Sequence, residues 1–174
     1  MLDATGWVAP DRIGIIGGSY GGYLVLAALT FRPQEFAVGI DLFGVSNWLR
    51  TLESIPPYWA SERKALYKLI GDPQTDAEYL RKISPLFHAD QIQRPLLVLQ
   101  GENDPRVLKK ESDEIVAAAR RRGTPVEYQV FPNEGHGFAR KATLAKAYPA
   151  ILQFLDKYMP ASSGGAAATR GSGR

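Results

Sequence analysis

Cysteine is missing from the 174 residues, and histidine and methionine occur only twice each. Without a thiol there is no disulfide framework, no cysteine nucleophile and no thiolate metal site, and the redox compartment stays open. No apolar run comes near the roughly 18 residues of a membrane span, and the N-terminus has no signal-peptide pattern, so the expectation is a soluble, by default cytoplasmic, chain with no membrane partner. An excess of one charge is also lacking. The 21 basic and 18 acidic residues leave +3 and no basic stripe, so no nucleic-acid partner is expected. The densest basic run, Arg120–Arg122, ends a helical pattern, where cations oppose the helix dipole without any ligand. No residue cluster calls for a metal or cofactor. What is present, 45% apolar and 22% charged content, suffices for one globular domain with a real core.

Four short segments read as buried strands: Arg12 to Ile16, Val38 to Phe43, Leu96 to Gln100 and Glu127 to Phe131. The first three are nearly continuous apolar runs, as expected when helices cover both faces of a parallel sheet. Helical patterns alternate with them. Ser19 to Leu29 is small and apolar; Lys109 to Arg122 carries acids early and arginines late; the last helix spaces Leu144, Ala147, Tyr148, Ile151, Leu152 and Leu155 helically, with Pro149 expected to kink it or open its second half. Between the second and third strands an excursion from Trp48 to Arg94, with helices near Trp59 to Ile70 and Ala77 to Ile83, suggests a lid or pocket wall. Residues 161–174, mostly Gly, Ser and Ala, read as a disordered tail. The alternation predicts an α/β fold with a parallel sheet over residues 1–160. Right-handed crossovers should set successive strands side by side, with functional residues at the strands' C-terminal ends.

Gly17-Gly18-Ser19-Tyr20-Gly21-Gly22 follows the first strand and opens the first helix, the context of a nucleophile elbow. A serine on so sharp a turn needs small residues two positions either side, which Gly17 and Gly21 supply. The turn exposes the Ser19 hydroxyl and aims the Tyr20 backbone N–H toward a developing oxyanion. A glycine-rich phosphate loop or a plain tight turn would use the same residues. Serine needs a base, and of the two histidines His136, in Asn133-Glu134-Gly135-His136-Gly137-Phe138 after the fourth strand, is better placed than His88 inside the excursion. The acid should lie after the third strand, in Gly101-Glu102-Asn103-Asp104-Pro105-Arg106-Val107. Asp104, before the turn-fixing Pro105, is preferred to Glu102, although an aspartate there also suits a turn or helix cap.

From Arg12 to about Tyr158 the chain resembles serine peptidases of the prolyl oligopeptidase family, in particular the dipeptidyl- and acylaminoacyl-peptidase branches. The matching strings are Asp11-Arg12-Ile13-Gly14 running into GGSYGG, Asp41-Leu42-Phe43-Gly44-Val45-Ser46-Asn47-Trp48, GENDPRV and PNEGHGF. The resemblance implies an α/β-hydrolase fold with Ser19 as nucleophile, His136 as base and Asp104 as its orienter. It also implies Arg106 contacting a substrate carbonyl, and Trp48, Val45 and Val107 lining the pocket for the residue before the scissile bond. Trp48 could equally serve as a core aromatic and Arg106 as a surface ion-pair partner. Thr51 and Ile55 stand where proline-selective members often have tyrosines, which argues against proline preference.

The implied activity is hydrolysis of short peptides through an acyl-enzyme, with an esterase of the same fold as the closer alternative. A full domain of this type has strands ahead of the elbow strand, whereas Met1 lies only eighteen residues before Ser19. The chain therefore reads as the second half of a catalytic domain. The expectations that follow are a missing second oxyanion donor, a fragment inactive alone, and pairing of the first strand's edge with a second copy or with the missing N-terminal half.

Overall fold

The computed structural model describes residues 9–55 and 57–160. The expected tail at 161–174 lies outside the described residues. Four strands, β1 (Gly14–Gly18), β2 (Val38–Leu42), β3 (Leu96–Gly101) and β4 (Val126–Phe131), form one parallel sheet in the order 1-2-3-4. The registers run Gly14 on Val38, Gly39 on Leu96, and Leu96 on Val126. Successive strands are thus neighbours, as short crossovers require. Among the described residues the six α-helices are α1 (Tyr20–Phe31), α2 (Trp48–Glu53), α3 (Ala60–Ile70), α4 (Ala77–Ile83), α5 (Lys109–Arg121) and α6 (Lys141–Tyr158).

Side-chain alternation along the strands builds two cores. One face packs Leu26, Leu29, Val98, Ile115 and Ala119 against α1 and α5. The other packs Ile40, Leu97, Leu99 and Phe131 against Ala147 and Phe154 of α6. Each leucine so buried stabilises the fold by about 1.5–3 kcal/mol. Every residue of β3 is buried. β1 is only partly covered, with Ile16 56% exposed, because no strand pairs with its outer edge among the described residues.

Three local expectations are corrected. The first strand begins at Gly14, not Arg12, because Pro10–Arg12 forms a 3-10 turn, and it extends to Gly18 because the adjoining Ser19 N–H still bonds the Leu42 carbonyl at 2.9 Å. α6 runs uninterrupted through Pro149, which sits on the exposed side, so its missing N–H and its ring fall toward solvent while Ala147 and Phe154 hold the buried face. The first acid of α5 is not chiefly a dipole device. Glu111 is 1% exposed and accepts the Ser46 and Asn47 amides at 3.0 and 2.6 Å, the Ser46 hydroxyl at 2.9 Å and the Arg50 guanidinium at 3.2 Å. Burial pushes its carboxyl up; Arg50, the Ser46 hydroxyl and the two amides oppose that shift. The result ties α5 to the start of the excursion.

The excursion folds back over the C-terminal ends of the strands. Its helix α2 was not read from the sequence; it starts where the Asn47 side chain accepts the Arg50 N–H at 3.3 Å. Val45, Trp48, Leu52, Leu80 and Val107 form a third apolar cluster beneath it. Ser84 ties α2 to α4, accepting the Trp48 N–H at 2.9 Å and donating to the Leu80 carbonyl at 2.6 Å.

Candidate active site

Ser19 stands between β1 and α1 with φ 57° and ψ −119°, a conformation costing about 1–3 kcal/mol for a residue with a side chain. Glycine at 17 is obligatory for that turn, because a Cβ there would run into the Gly21 carbonyl. Position 21 is different from the sequence expectation: a Cβ on Gly21 would meet nothing within 4 Å. What must be close at 21 is the backbone. The crowded glycine on the helix is Gly22, whose Cβ would collide with Asp41 and Gly44. Tyr20 is the first residue of α1, so its amide has no acceptor within the helix and is free for an anion.

The loops after β3 and β4 bring the other two candidates to Ser19. His136 Nε2 lies 2.8 Å from Ser19 Oγ and Nδ1 lies 2.8 Å from Asp104 Oδ2. With a carboxylate on Nδ1, the imidazole carries its proton there and presents Nε2 as acceptor to the serine hydroxyl, an assignment made from the partners. Asp104 is 4% exposed, and its two oxygens divide the roles weighed above. Oδ1 accepts the Arg106 and Val107 amides at 2.8 and 2.9 Å as a turn cap, and Oδ2 faces the histidine. Glu102 is exposed, and its backbone N–H bonds the Phe131 carbonyl at 3.0 Å. His88 is not brought to Ser19; its ring stacks edge-on to Phe31 at 5.4 Å.

Two supporting residues were missed. Gln100, the last buried polar residue of β3, donates to the Val107 carbonyl at 3.2 Å, reaches Asp104 Oδ2 at 3.5 Å, and accepts from Ser112 at 2.8 Å. A glutamine inside an otherwise apolar strand was the available signal. Glu134 is buried in the histidine loop and accepts the Ala139 and Arg140 amides at 3.2 and 3.0 Å. The Thr143 hydroxyl and these amides hold its carboxyl below the usual range. Its own carbonyl accepts the Asn103 N–H at 3.0 Å, so the acid loop and the histidine loop are one unit. Gly101 permits this, since a Cβ there would strike the Gly135 carbonyl.

Ser19, Tyr20 and His136 open into a cleft of about 430 Å³ whose wall includes Val45, Trp48, Arg106 and Val107. Trp48 is 4% exposed, stacks with Tyr20 and Tyr23 at 5.9 and 5.2 Å, and so belongs to the core while showing one side to the cleft. Arg106 has no ion-pair partner within 4 Å among the described residues; its guanidinium lies over Trp59, 5.4 Å from the ring centroid. The far wall, with Ile55, Trp59, Glu62 and Leu66, comes from the excursion, as its reading as a pocket wall implies; Trp59, Glu62 and Leu66 were not singled out from the sequence. No group of three His, Asp or Glu residues that could hold a metal occurs among the described residues, and no helix there is long and apolar enough to cross a membrane.

Comparison with known proteins follows the same lines. The model of the prolyl oligopeptidase family matches residues 1–162. Dipeptidyl aminopeptidase BIII of Pseudoxanthomonas mexicana is 48% identical over 161 residues, covering 88% of this chain and 23% of that protein. Dipeptidyl peptidase family member 6 of Caenorhabditis elegans is 44% identical over 150 residues, covering 84% and 20%. Among solved structures, a puromycin-hydrolyzing peptidase of Mycobacterium tuberculosis superposes with a TM-score of 0.83 at 33% identity over 90% of this chain and 23% of its own. The acylaminoacyl peptidase of Pyrococcus horikoshii gives 0.78 at 29%, over 91% and 26%. The chain spans between a fifth and a quarter of the curated relatives' length.

Proposed function

The chain belongs to the prolyl oligopeptidase family of serine peptidases, and from that premise we propose that it supplies the nucleophile, base and acid of a peptide-hydrolysing α/β-hydrolase domain. Ser19 attacks the peptide carbonyl while His136 Nε2 takes the hydroxyl proton. Asp104 keeps the imidazole in the tautomer that can accept it and stabilises the cation formed. The tetrahedral oxyanion is met by the Tyr20 N–H at the start of α1. His136 then returns the proton to the leaving amine, and water, deprotonated by the same imidazole, releases the acyl group from Ser19.

The substrates are peptides. Arg106 is the donor for a substrate carbonyl near the scissile bond, and Val45, Trp48 and Val107 receive the side chain before it. Turnover is assigned to the assembled catalytic domain, of which residues 1–160 form part; the relatives carry that domain in chains four to five times longer.

The observation that carries this reading is the continuous relay from Asp104 through His136 to Ser19, with both links at 2.8 Å. A fluorophosphonate probe tests it. Labelling is expected at Ser19, to vanish in Ser19→Ala, and to fall nearly as far in His136→Ala, because such groups act as a unit. Labelling that persists in Ser19→Ala, or that depends on His88 and not on His136, overturns it.

A further inference from the structure

The turn that ends β2 touches both proposed reacting groups. The Leu42 carbonyl accepts the Ser19 N–H at 2.9 Å. Phe43, held at φ 45° with its N–H on the Leu99 carbonyl at 2.8 Å, sets its ring edge-on to His136 at 5.0 Å. Its ring also lies beneath Gly18, where a Cβ would sit 3.2 Å from it. A strained non-glycine residue of this kind persists only where its surroundings hold it.

At the root of the turn lies Asp41, 0% exposed, in register with Gly17 of β1 on one side and Val98 of β3 on the other. The backbones of Gly22 in α1 and Gly44 in the turn press together there, and Asp41 Oδ1 lies against both, so that a Cβ at either glycine would collide with it. Neither carboxyl oxygen has a hydrogen-bond partner among the described residues. Burial pushes the group up to about 7, with the nearby Gly44 amide opposing the shift without reaching bonding geometry. None of the chemistry proposed above uses this carboxyl.

We propose that Asp41 is a positioning residue for the Ser19–His136 pair: its buried carboxyl seals the contact between Gly22 and Gly44 and so fixes the first turn of α1 against the turn that carries Phe43. The proposal rests on the serine-hydrolase reading of Ser19 and His136. A neutral carboxyl is buried there at lower cost than a carboxylate, which without donors must draw in water or backbone N–H groups, and the amide nearest to it is that of Gly44 in the turn.

The elements around it present few other charges. α1, β1 and the turn offer backbone glycines, and β3 offers Val98. From β4, Tyr128 occupies the same row, paired with Val98, and its hydroxyl donates to Asp113 of α5 at 2.8 Å. Burial, that hydrogen bond, the Asp113 charge and, once it ionises, that of Asp41 hold the Tyr128 proton well beyond its ordinary range. Glu111 of α5 is already engaged by Ser46, Asn47 and Arg50.

The test is the rate of fluorophosphonate labelling at Ser19 between pH 6 and 9, in the same chain. Asp41→Ala, which removes the seal, is expected to slow labelling about tenfold or more. Asp41→Asn, an uncharged isostere, restores it at pH 6, and its rate relative to wild type rises about threefold or more by pH 9, since only the wild type acquires the buried charge. The melting temperature provides a readout independent of chemistry. Asp41→Asn gains on wild type as pH rises from 5 to 8, because a carboxyl whose folded pKa lies above its unfolded one loses stability across that interval. A flat Asn-to-wild-type ratio, or an Ala variant as fast as wild type, overturns the proposal; if the Ala variant does not fold, the Asn profile decides. No wild-type labelling at all overturns the serine-hydrolase reading as well, which separates the two failures.

Discussion

Gly17, Gly21 and Gly22 stand within six residues of one another and are glycine for different reasons. A side chain at 17 would strike the Gly21 backbone, one at 22 would strike Asp41 and Gly44, and one at 21 would enter open space. Gly17→Ala and Gly22→Ala are therefore expected to lose about 1–3 kcal/mol or more of stability by overpacking. Gly21→Ala, in the first turn of a helix, should be neutral or gain up to about 1 kcal/mol from its better helix propensity. Urea unfolding of the three variants measures this, and equal losses would disprove it. Arg106 invites a test at the same scale. Held over Trp59 at the cleft rim, it is free to meet a peptide carbonyl. Arg106→Ala in the assembled enzyme should lower kcat/KM for peptides about tenfold while sparing small esters, which lack the second carbonyl. Equal losses on both substrates would make it a structural residue.

Helix α6 packs over β2, β3 and the end of β4 on one face of the sheet despite a proline at its ninth position. Its continuity comes from the buried side, where Ala147 and Phe154 pack on Val38, Ile40 and Leu99. The proline remains a cost to the helix, since it removes one internal hydrogen bond. Pro149→Ala should therefore raise unfolding stability by about 1–3 kcal/mol, readable as a higher denaturation midpoint at unchanged slope. A drop would mean that the proline relieves strain elsewhere. The excursion shows the opposite balance. α3 contributes Leu66 and Glu62 to the cleft but has no fully buried residue, so it is held mainly through its neighbours α2 and the Pro57–Trp59 turn. A wall attached this lightly suits the proposed role of the cleft in admitting a peptide.

At the scale of the whole molecule the sheet is asymmetric. β3 is buried and paired on both sides, while β1, which leads into the elbow, has no partner on its outer edge among the described residues and shows Ile16 at 56% exposure. An open parallel edge beside exposed apolar side chains favours pairing with another chain. The 174-residue chain is expected to self-associate at micromolar concentration, and Ile16→Lys should shift it toward monomer by placing a charge on that edge. Sedimentation velocity on both proteins gives the answer, and a wild-type monomer would refute it.

The order of strands, their parallel pairing and the identity of Ser19, Asp104 and His136 as the site's candidates were legible from the chain alone, because each depends on local rules. Apolar runs mark buried strands, and a strand-to-helix turn as sharp as the one at Ser19 tolerates only glycine at 17. Asp104 and Glu102 were separable only in part, since both lie on the same loop and only the folded loop turns Asp104 Oδ2 toward His136. The excursion read as a pocket wall, but which of its residues line the cleft, the place of Gln100 behind the acid, and that of Asp41 beneath the elbow were beyond any local reading. A polar residue in an apolar strand looks the same in sequence whether it is tolerated or used. Which it is depends on what packs against it, here Gly22 from one helix and Gly44 from the next turn. Contacts between segments distant along the chain are decided by tertiary packing, and packing is what turned a row of candidates into one site.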